Sequence, residues 1–298
     1  MEKASCYSAV TMNDSTFNIA LAQIDSIPGN EEKNIRKHVE MIRRARKAGA
    51  GLVVFPELSL SGYGIRDMNR DLAFDAGSVK RLAPLLEESR DITILCGGIE
   101  ESPDFGLYNS AFCLEEGAFR SVHRKVYPPT YGMFEELRYF SPGSDVRPFG
   151  TKVGRCGLLI CEDLWHPSLA YLLALEGAHL IVGIAASPTR LAPEEPALGI
   201  AEINSEQHRS LARLLSTYVV FCNRVGFEDG VSFWGGSEVV APSGAVIARG
   251  ALHDEDLVLA RIDMNEVRRA RQLSRHFLDE NVPLVRRILR RIEHEKDR

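Results

Sequence analysis

The chain has 298 residues, 45% of them hydrophobic and 26% charged, with a formal net charge of −5. That apolar content supports a sizeable core. With no Ser/Gly linker, long charge block or low-complexity tract to divide the chain, one large domain is expected. The mild acidity argues against a nucleic-acid partner, which calls for a basic face, and no stretch is apolar for the roughly 18 residues that a membrane span needs.

In chain order, residues 1–16 are small and polar and lack the apolar centre of a secretory signal, so a flexible tail on a cytoplasmic protein is expected. Residues 17–24 read as a strand closed by Pro28-Gly29. Asn30 then caps a helix with Glu31 and Glu32 in its first turn and Lys47 near its end; Ile35, Val39, Ile42 and Ala45 share one face and Gly49 stops it. Strands follow at 51–55 and 92–96 with a helix at 79–88 between them. Residues 108–114 and 118–122 flank Glu116-Gly117, a hairpin signal. Further strands are expected at 180–185 and 218–222 around a helix near 205–215, then a hairpin about Pro242-Ser243-Gly244, and a last strand at 257–262. Strands that alternate with helices and also form hairpins imply mixed sheets covered by helices, an α/β protein.

Six cysteines, Cys6, Cys96, Cys113, Cys156, Cys161 and Cys222, make no CxxC and have no His-rich spacing, so they read as reduced thiols, with no metal and no cofactor expected. Cys161 differs from the rest. It ends the apolar run Gly157-Leu158-Leu159-Ile160 and precedes Glu162, Asp163, Leu164, Trp165, His166 and Pro167. A cysteine where a buried strand opens into a loop or helix stands where α/β proteins place reactive groups, though buried structural thiols are common. Glu57 follows the apolar run Val53-Val54-Phe55-Pro56, and burial raises a carboxyl towards the range of a base. Lys125 sits in His123-Arg124-Lys125-Val126-Tyr127-Pro128-Pro129, ahead of Glu135-Glu136-Leu137-Arg138-Tyr139-Phe140-Ser141-Pro142-Gly143. Alone, the Pro-Glu is a strand end and the Lys a solvated charge.

In this order the three segments resemble the carbon-nitrogen hydrolase (nitrilase) superfamily, over residues 17 to 264. The resemblance implies a four-layer alpha-beta-beta-alpha sandwich of two mixed sheets with outer helices. It also implies a Glu-Lys-Cys triad of Glu57, Lys125 and Cys161, with Glu136 as a second acid; Glu135 is adjacent and the surrounding Glu-Leu-Arg-Tyr-Phe pattern favours Glu136. Within that superfamily, Phe-Pro-Glu-Leu-Ser-Leu-Ser-Gly-Tyr, Cys-Glu-Asp-Leu-Trp and Asn223-Arg224-Val225-Gly226 resemble the glutaminase domain of glutamine-dependent NAD synthetase. The synthetase half with its ATP loop is absent from the sequence, so neither ATP nor NAD is expected. The Pro- and Glu-rich stretch 190–204 also departs from that domain, so glutamine specificity is not carried over.

The reading that follows is a thiol amidohydrolase cleaving the C–N bond of a small linear amide or carbamoyl compound through a thioester. A thiol attacks as thiolate, Glu57 moves its proton, and Lys125 with the backbone N–H of Glu162 stabilises the oxyanion. Tyr131, Phe134, Glu162, Trp165, Ser187 and Trp234 are candidates for contact with substrate, as is Arg190; for the aromatic ones core packing is an equal alternative. The same residues would serve an acyl-transferring member, while a silent interaction module on this fold has no need of them. No Gly-x-Ser-x-Gly elbow supports a serine hydrolase. Residues 265–298 carry Val267, Leu273, Phe277, Val282, Val285, Ile288, Leu289 and Ile292 outside the domain pattern. They are expected to form a C-terminal arm that packs in a homodimer or higher homo-oligomer.

Overall fold

The computed structural model describes residues 16–75, 80–189 and 199–296. The first half runs β1 (Thr16–Gln23), α1 (Glu31–Lys47), β2 (Ala50–Val54), α2 (Asn69–Leu72), α3 (Ala83–Glu88), β3 (Thr93–Glu101), β4 (Leu107–Glu115) and β5 (Ala118–Arg124). The second half runs β6 (Phe149–Thr151), β7 (Gly154–Ile160), α4 (Pro167–Leu175), β8 (Leu180–Ala185), β9 (Pro188–Thr189), α5 (Gly199–Leu215), β10 (Tyr218–Asn223), β11 (Val225–Glu228), β12 (Val231–Trp234), β13 (Glu238–Val240), β14 (Val246–Arg249) and β15 (Asp256–Asp263). Two helices, α6 (Met264–Leu273) and α7 (Val282–Lys296), close the described chain.

The strands form two six-stranded mixed sheets, ordered β15-β1-β2-β3-β4-β5 and β14-β13-β10-β8-β7-β6, and a small sheet β11-β12-β9. Side chains alternate along a strand, and this sets the layers. Ile19 and Leu21 of β1 meet Leu158, Val182 and Val220 of the other sheet in a shared inner core. Their neighbours Ala20 and Ala22 face outward onto Ile35, Met41, Ile42 and Ala45 of α1. In the second sheet Ile181 and Phe221 face outward onto Leu169 and Leu173 of α4 and Leu211 and Leu215 of α5. The result is helix, sheet, sheet, helix. α1 is built as its sequence directs: the Asn30 side chain accepts from the Lys33 N–H at 3.1 Å, Glu31 and Glu32 lie in the first turn, and Arg44, Arg46 and Lys47 in the last.

Several boundaries differ from expectation. β1 opens at Thr16, paired with Asp263, and β3 continues to Glu101 because β4 pairs with it from Ile94 to Glu101. α3 begins only at Ala83, with Pro84 in its first turn. α5 begins at Gly199, so the end of the 190–204 stretch is helix. Residues 1–15 and Arg190 lie outside the described residues. Two residues assigned to the C-terminal arm pack on their own domain: Val267 joins the core between the sheets and Phe277 packs beside α4 and α5, with Arg271 over its ring. No helix among the described residues is long and apolar enough to cross a membrane.

Candidate functional site

Glu57, Lys125 and Cys161 each follow directly on a strand or its extension, and the two sheets bring these ends to one place. After β2 the chain makes a tight turn, with Leu58 at φ +49°. The turn lies on β3 at Gly97, where a Cβ would stand 2.3 Å from the Leu58 nitrogen, so only glycine permits the approach. His38 of α1 fixes the same turn from behind. Its Nδ1 lies 2.8 Å from the Asn34 carbonyl, its Nε2 2.9 Å from Ser59 Oγ, and its ring stacks on Phe55. Burial lowers its pKa to about 4, so it is neutral, donating from Nδ1 and accepting at Nε2.

Lys125 is buried at the end of β5. Its ammonium donates to Glu57 Oε1 at 2.8 Å and to Glu136 Oε1 at 2.7 Å. Burial alone would disfavour the charge, but Glu136 and Glu57 outweigh it and hold the pKa well above the usual lysine value. Burial raises the Glu136 carboxyl, against the pull of Lys125. Tyr63 donates to Glu136 Oε1 at 2.6 Å, Asn109 Nδ2 donates to Glu57 Oε1 at 2.7 Å, and the Ala186 N–H donates to Glu57 Oε2 at 2.7 Å. Glu136 faces inward, while Glu135 is exposed.

Cys161 has φ +48°, a strained value for a residue with a Cβ. It swings the chain from β7 at once into a 3₁₀ turn over Cys161–Trp165. Gly183 of β8 makes room for that turn, since a Cβ there would stand 2.4 Å from Leu164 Cδ1. Among the described cysteines only Cys161 is partly exposed. Burial and then the Glu57 charge push its thiol well up, Lys125 pulls it down, and the net direction is upward. At rest it is therefore a thiol. Asp163 ties this turn to the Lys125 segment. Its Oδ1 accepts from the N–H groups of Val126 and Tyr127, both at 3.0 Å, and its Oδ2 accepts from the Ile160 N–H at 3.1 Å and lies 2.9 Å from His123 Nε2.

Cys161 opens into a cavity of about 610 Å³. Tyr131, Phe134, Glu162, Trp165 and Ser187 all line it, and Ile200 and Ile203 of α5 complete its wall. Tyr131 donates to Glu162 Oε2 at 2.8 Å. Trp234 does not line the cavity. It is buried, stacks on Phe221, and donates from Nε1 to Ser187 Oγ at 3.1 Å, so it supports a cavity residue from the core. Tyr63, Asn109 and Asp163 were not singled out from sequence. Asn109, a lone amide in the run 108–114, was the one readable signal. Among the described residues no group of three or more His, Cys, Asp or Glu is placed to hold a metal ion.

A family model described as carbon-nitrogen hydrolase matches residues 18–272. A glutamine-dependent NAD(+) synthetase of Thermotoga maritima is 35% identical over 254 residues, covering 83% of this chain and 42% of that one. The chain thus spans less than half the length of that relative. A nitrilase of Pyrococcus abyssi is 30% identical over 258 residues, covering 85% of this chain and 92% of that one. Among solved structures, a carbon-nitrogen hydrolase from Helicobacter pylori G27 superposes with a TM-score of 0.83 at 24% identity, covering 92% of this chain and 98% of that one.

Proposed function

The chain belongs to the carbon-nitrogen hydrolase family, and from that premise we propose that it is a thiol amidohydrolase acting on a small linear amide or carbamoyl compound. The observation that carries this reading is the buried bridge of Lys125 between Glu57 and Glu136, beside a cysteine that opens into a cavity. A buried ammonium between two carboxylates is a costly arrangement for stability alone.

The chemistry follows from the hydrogen-bond inventory. Glu57 takes the Cys161 proton as the sulfur attacks the amide carbon, which agrees with a resting thiol and not a preformed thiolate. An ammonium has three N–H groups. Two are held by Glu57 and Glu136, and the third serves the oxyanion. The Glu162 N–H, in the first turn of a 3₁₀ segment where backbone donors lack intrahelical partners, is the second donor. The tetrahedral intermediate collapses as Glu57 returns the proton to the leaving amine, leaving a thioester on Cys161. Glu57 then takes a proton from water, the hydroxide adds to the thioester, the C–S bond breaks, and Glu57 returns the proton to the sulfur, releasing the acid and restoring the free thiol. Glu136 holds Lys125 in place. Tyr131, Phe134, Glu162, Trp165 and Ser187 shape the substrate cavity. We also propose that the molecule is a homodimer or higher homo-oligomer, paired through α7.

Intact-mass measurement after incubation with a panel of small amides tests the reading. A mass increment equal to the acyl group, absent in Cys161→Ala, is the expected result. Turnover near the parent's by Cys161→Ala would sink it.

A further inference from the structure

Asn109 is a polar residue on the face of β4 that turns towards the second sheet. Side chains two apart share a face, and Ala111 and Cys113 of that row belong to the core between the sheets. Asn109 is only 1% exposed, so its amide needs partners. It donates to Glu57 Oε1 at 2.7 Å and, at a longer 3.4 Å, to Glu136 Oε2. Its backbone carbonyl accepts the Lys125 N–H at 2.9 Å. One residue thus touches both acids and the strand end that carries the lysine. Its Oδ1 has no hydrogen-bond partner among the described residues. Turning the amide over would set that oxygen against two carboxylates, which fixes the N–H₂ towards them.

The donors distinguish the two oxygens of Glu57. A carboxylate oxygen offers about two acceptor sites. Oε1 has both filled, by Lys125 at 2.8 Å and by Asn109. Among the described residues Oε2 takes only the Ala186 N–H, at 2.7 Å, and that N–H also reaches the Cys161 sulfur. We propose that Asn109 is a positioning residue: with Lys125 it closes Oε1 of Glu57 and leaves Oε2 as the atom that takes the Cys161 proton while sulfur bonds to the amide carbon. This rests on the amidohydrolase reading. A donor to a carboxylate favours its ionised form, and Glu57 has to be ionised to act as the base. The other titratable groups facing the cluster are Glu136, Lys125, Tyr63 and Cys161, all retained in the variants below.

Profiles of kcat/KM against pH in the full-length parent, Asn109→Leu and Asn109→Thr test the proposal. Leu keeps the bulk and removes the donors. Thr suits a strand and keeps one O–H donor. In Asn109→Leu the acid limb is expected to move up by about one pH unit. At the optimum, kcat should fall by about 10–100-fold, with KM within about twofold. Asn109→Thr is expected to fall between, and its displaced limb carries the test should Asn109→Leu not fold. Alkylation of Cys161 by iodoacetamide, over roughly pH 4 to 8, gives a second readout. It needs the proton transfer to Glu57 but no amide cleavage, so its acid limb should move equally. A lower kcat with both limbs at the parental pH overturns the proposal, because a merely structural residue would do that. So do parental kinetics in Asn109→Leu, or in Asn109→Thr where Asn109→Leu does not fold. A parent that hydrolyses no amide removes the hydrolase reading. A shifted alkylation limb would then keep the role of Asn109, and an unshifted one would remove that too.

Discussion

At the scale of single residues, the candidate site is a problem in charge. Lys125 is buried with two carboxylates. Removing its charge leaves Glu57 and Glu136 facing each other without a counter-ion. Lys125→Met is therefore expected to cost about 3–5 kcal/mol of stability and to lower kcat by roughly 10²–10³. A variant that folds with parental Tm and changes only KM would make Lys125 a binding residue. The thiol adds a second expectation. The pKa of Cys161 is raised, and burial pushes those of Cys96 and Cys156 to about 12. Cys161 alone among the described cysteines is partly exposed, so iodoacetamide should label it before the other four, at a rate still climbing above pH 9. Peptide mapping that finds Cys96 or Cys156 modified first would contradict the exposure argument. Glu57, Lys125, Glu136 and Cys161 were legible because each lies in a contiguous motif. Tyr63 and Asp163 were not, because their meaning lies in partners 73 and 36–40 positions away in sequence.

At the scale of elements, two devices hold the motifs in place, and neither is visible in periodicity. One is Asp163, whose carboxylate joins the end of β7 to the segment leaving β5. Asp163→Asn presents an amide N–H₂ to one set of these donors. Hydrogen bonds to a charged group are worth about 1.5–3 kcal/mol each, so Tm should fall and kcat should fall more than KM rises. Equal kinetics in the variant would remove Asp163 from any positioning role. The other device is His38, which pins the Glu57 turn to α1. Its folded pKa, about 4, lies below the ordinary 6.5, so the unfolded chain takes up the proton more readily. The stability it contributes is fully present above pH 6.5 and is lost as pH falls towards 4, by about 3 kcal/mol. Denaturant melts of the parent between pH 7 and pH 4 should show this slope, and His38→Gln should flatten it. An unchanged slope in His38→Gln would assign the effect to other groups. The sequence pattern showed α1 and its caps because those signals are local. The pattern missed β9, β11 and β12, since strands of two to four residues are too short to show alternation.

At the scale of the whole molecule, pattern alone could not count layers, because a strand buried on both faces reads as a continuous apolar run. The structure resolves the count through which residues share a core. The same test divides the C-terminal arm. Val267 and Phe277 belong to the domain's own cores. α7 does not: none of its residues is buried, and Val282, Leu284, Ile288, Leu289 and Ile292 are exposed along it. Five large apolar side chains on one exposed helix call for a cover, and a two-fold pairing is the commonest solution. Deleting residues 281–298 should therefore change the stability of the domain little, by no more than about 0.5 kcal/mol, because no residue of that helix is fully buried in its own chain. It should at the same time lower the assembled fraction at micromolar concentration. A deletion that began at Arg271 would also remove Phe277 and confuse the two effects. Light scattering that finds the full-length chain monomeric at that concentration would refute pairing through α7. A truncated chain that still assembles would move the interface elsewhere.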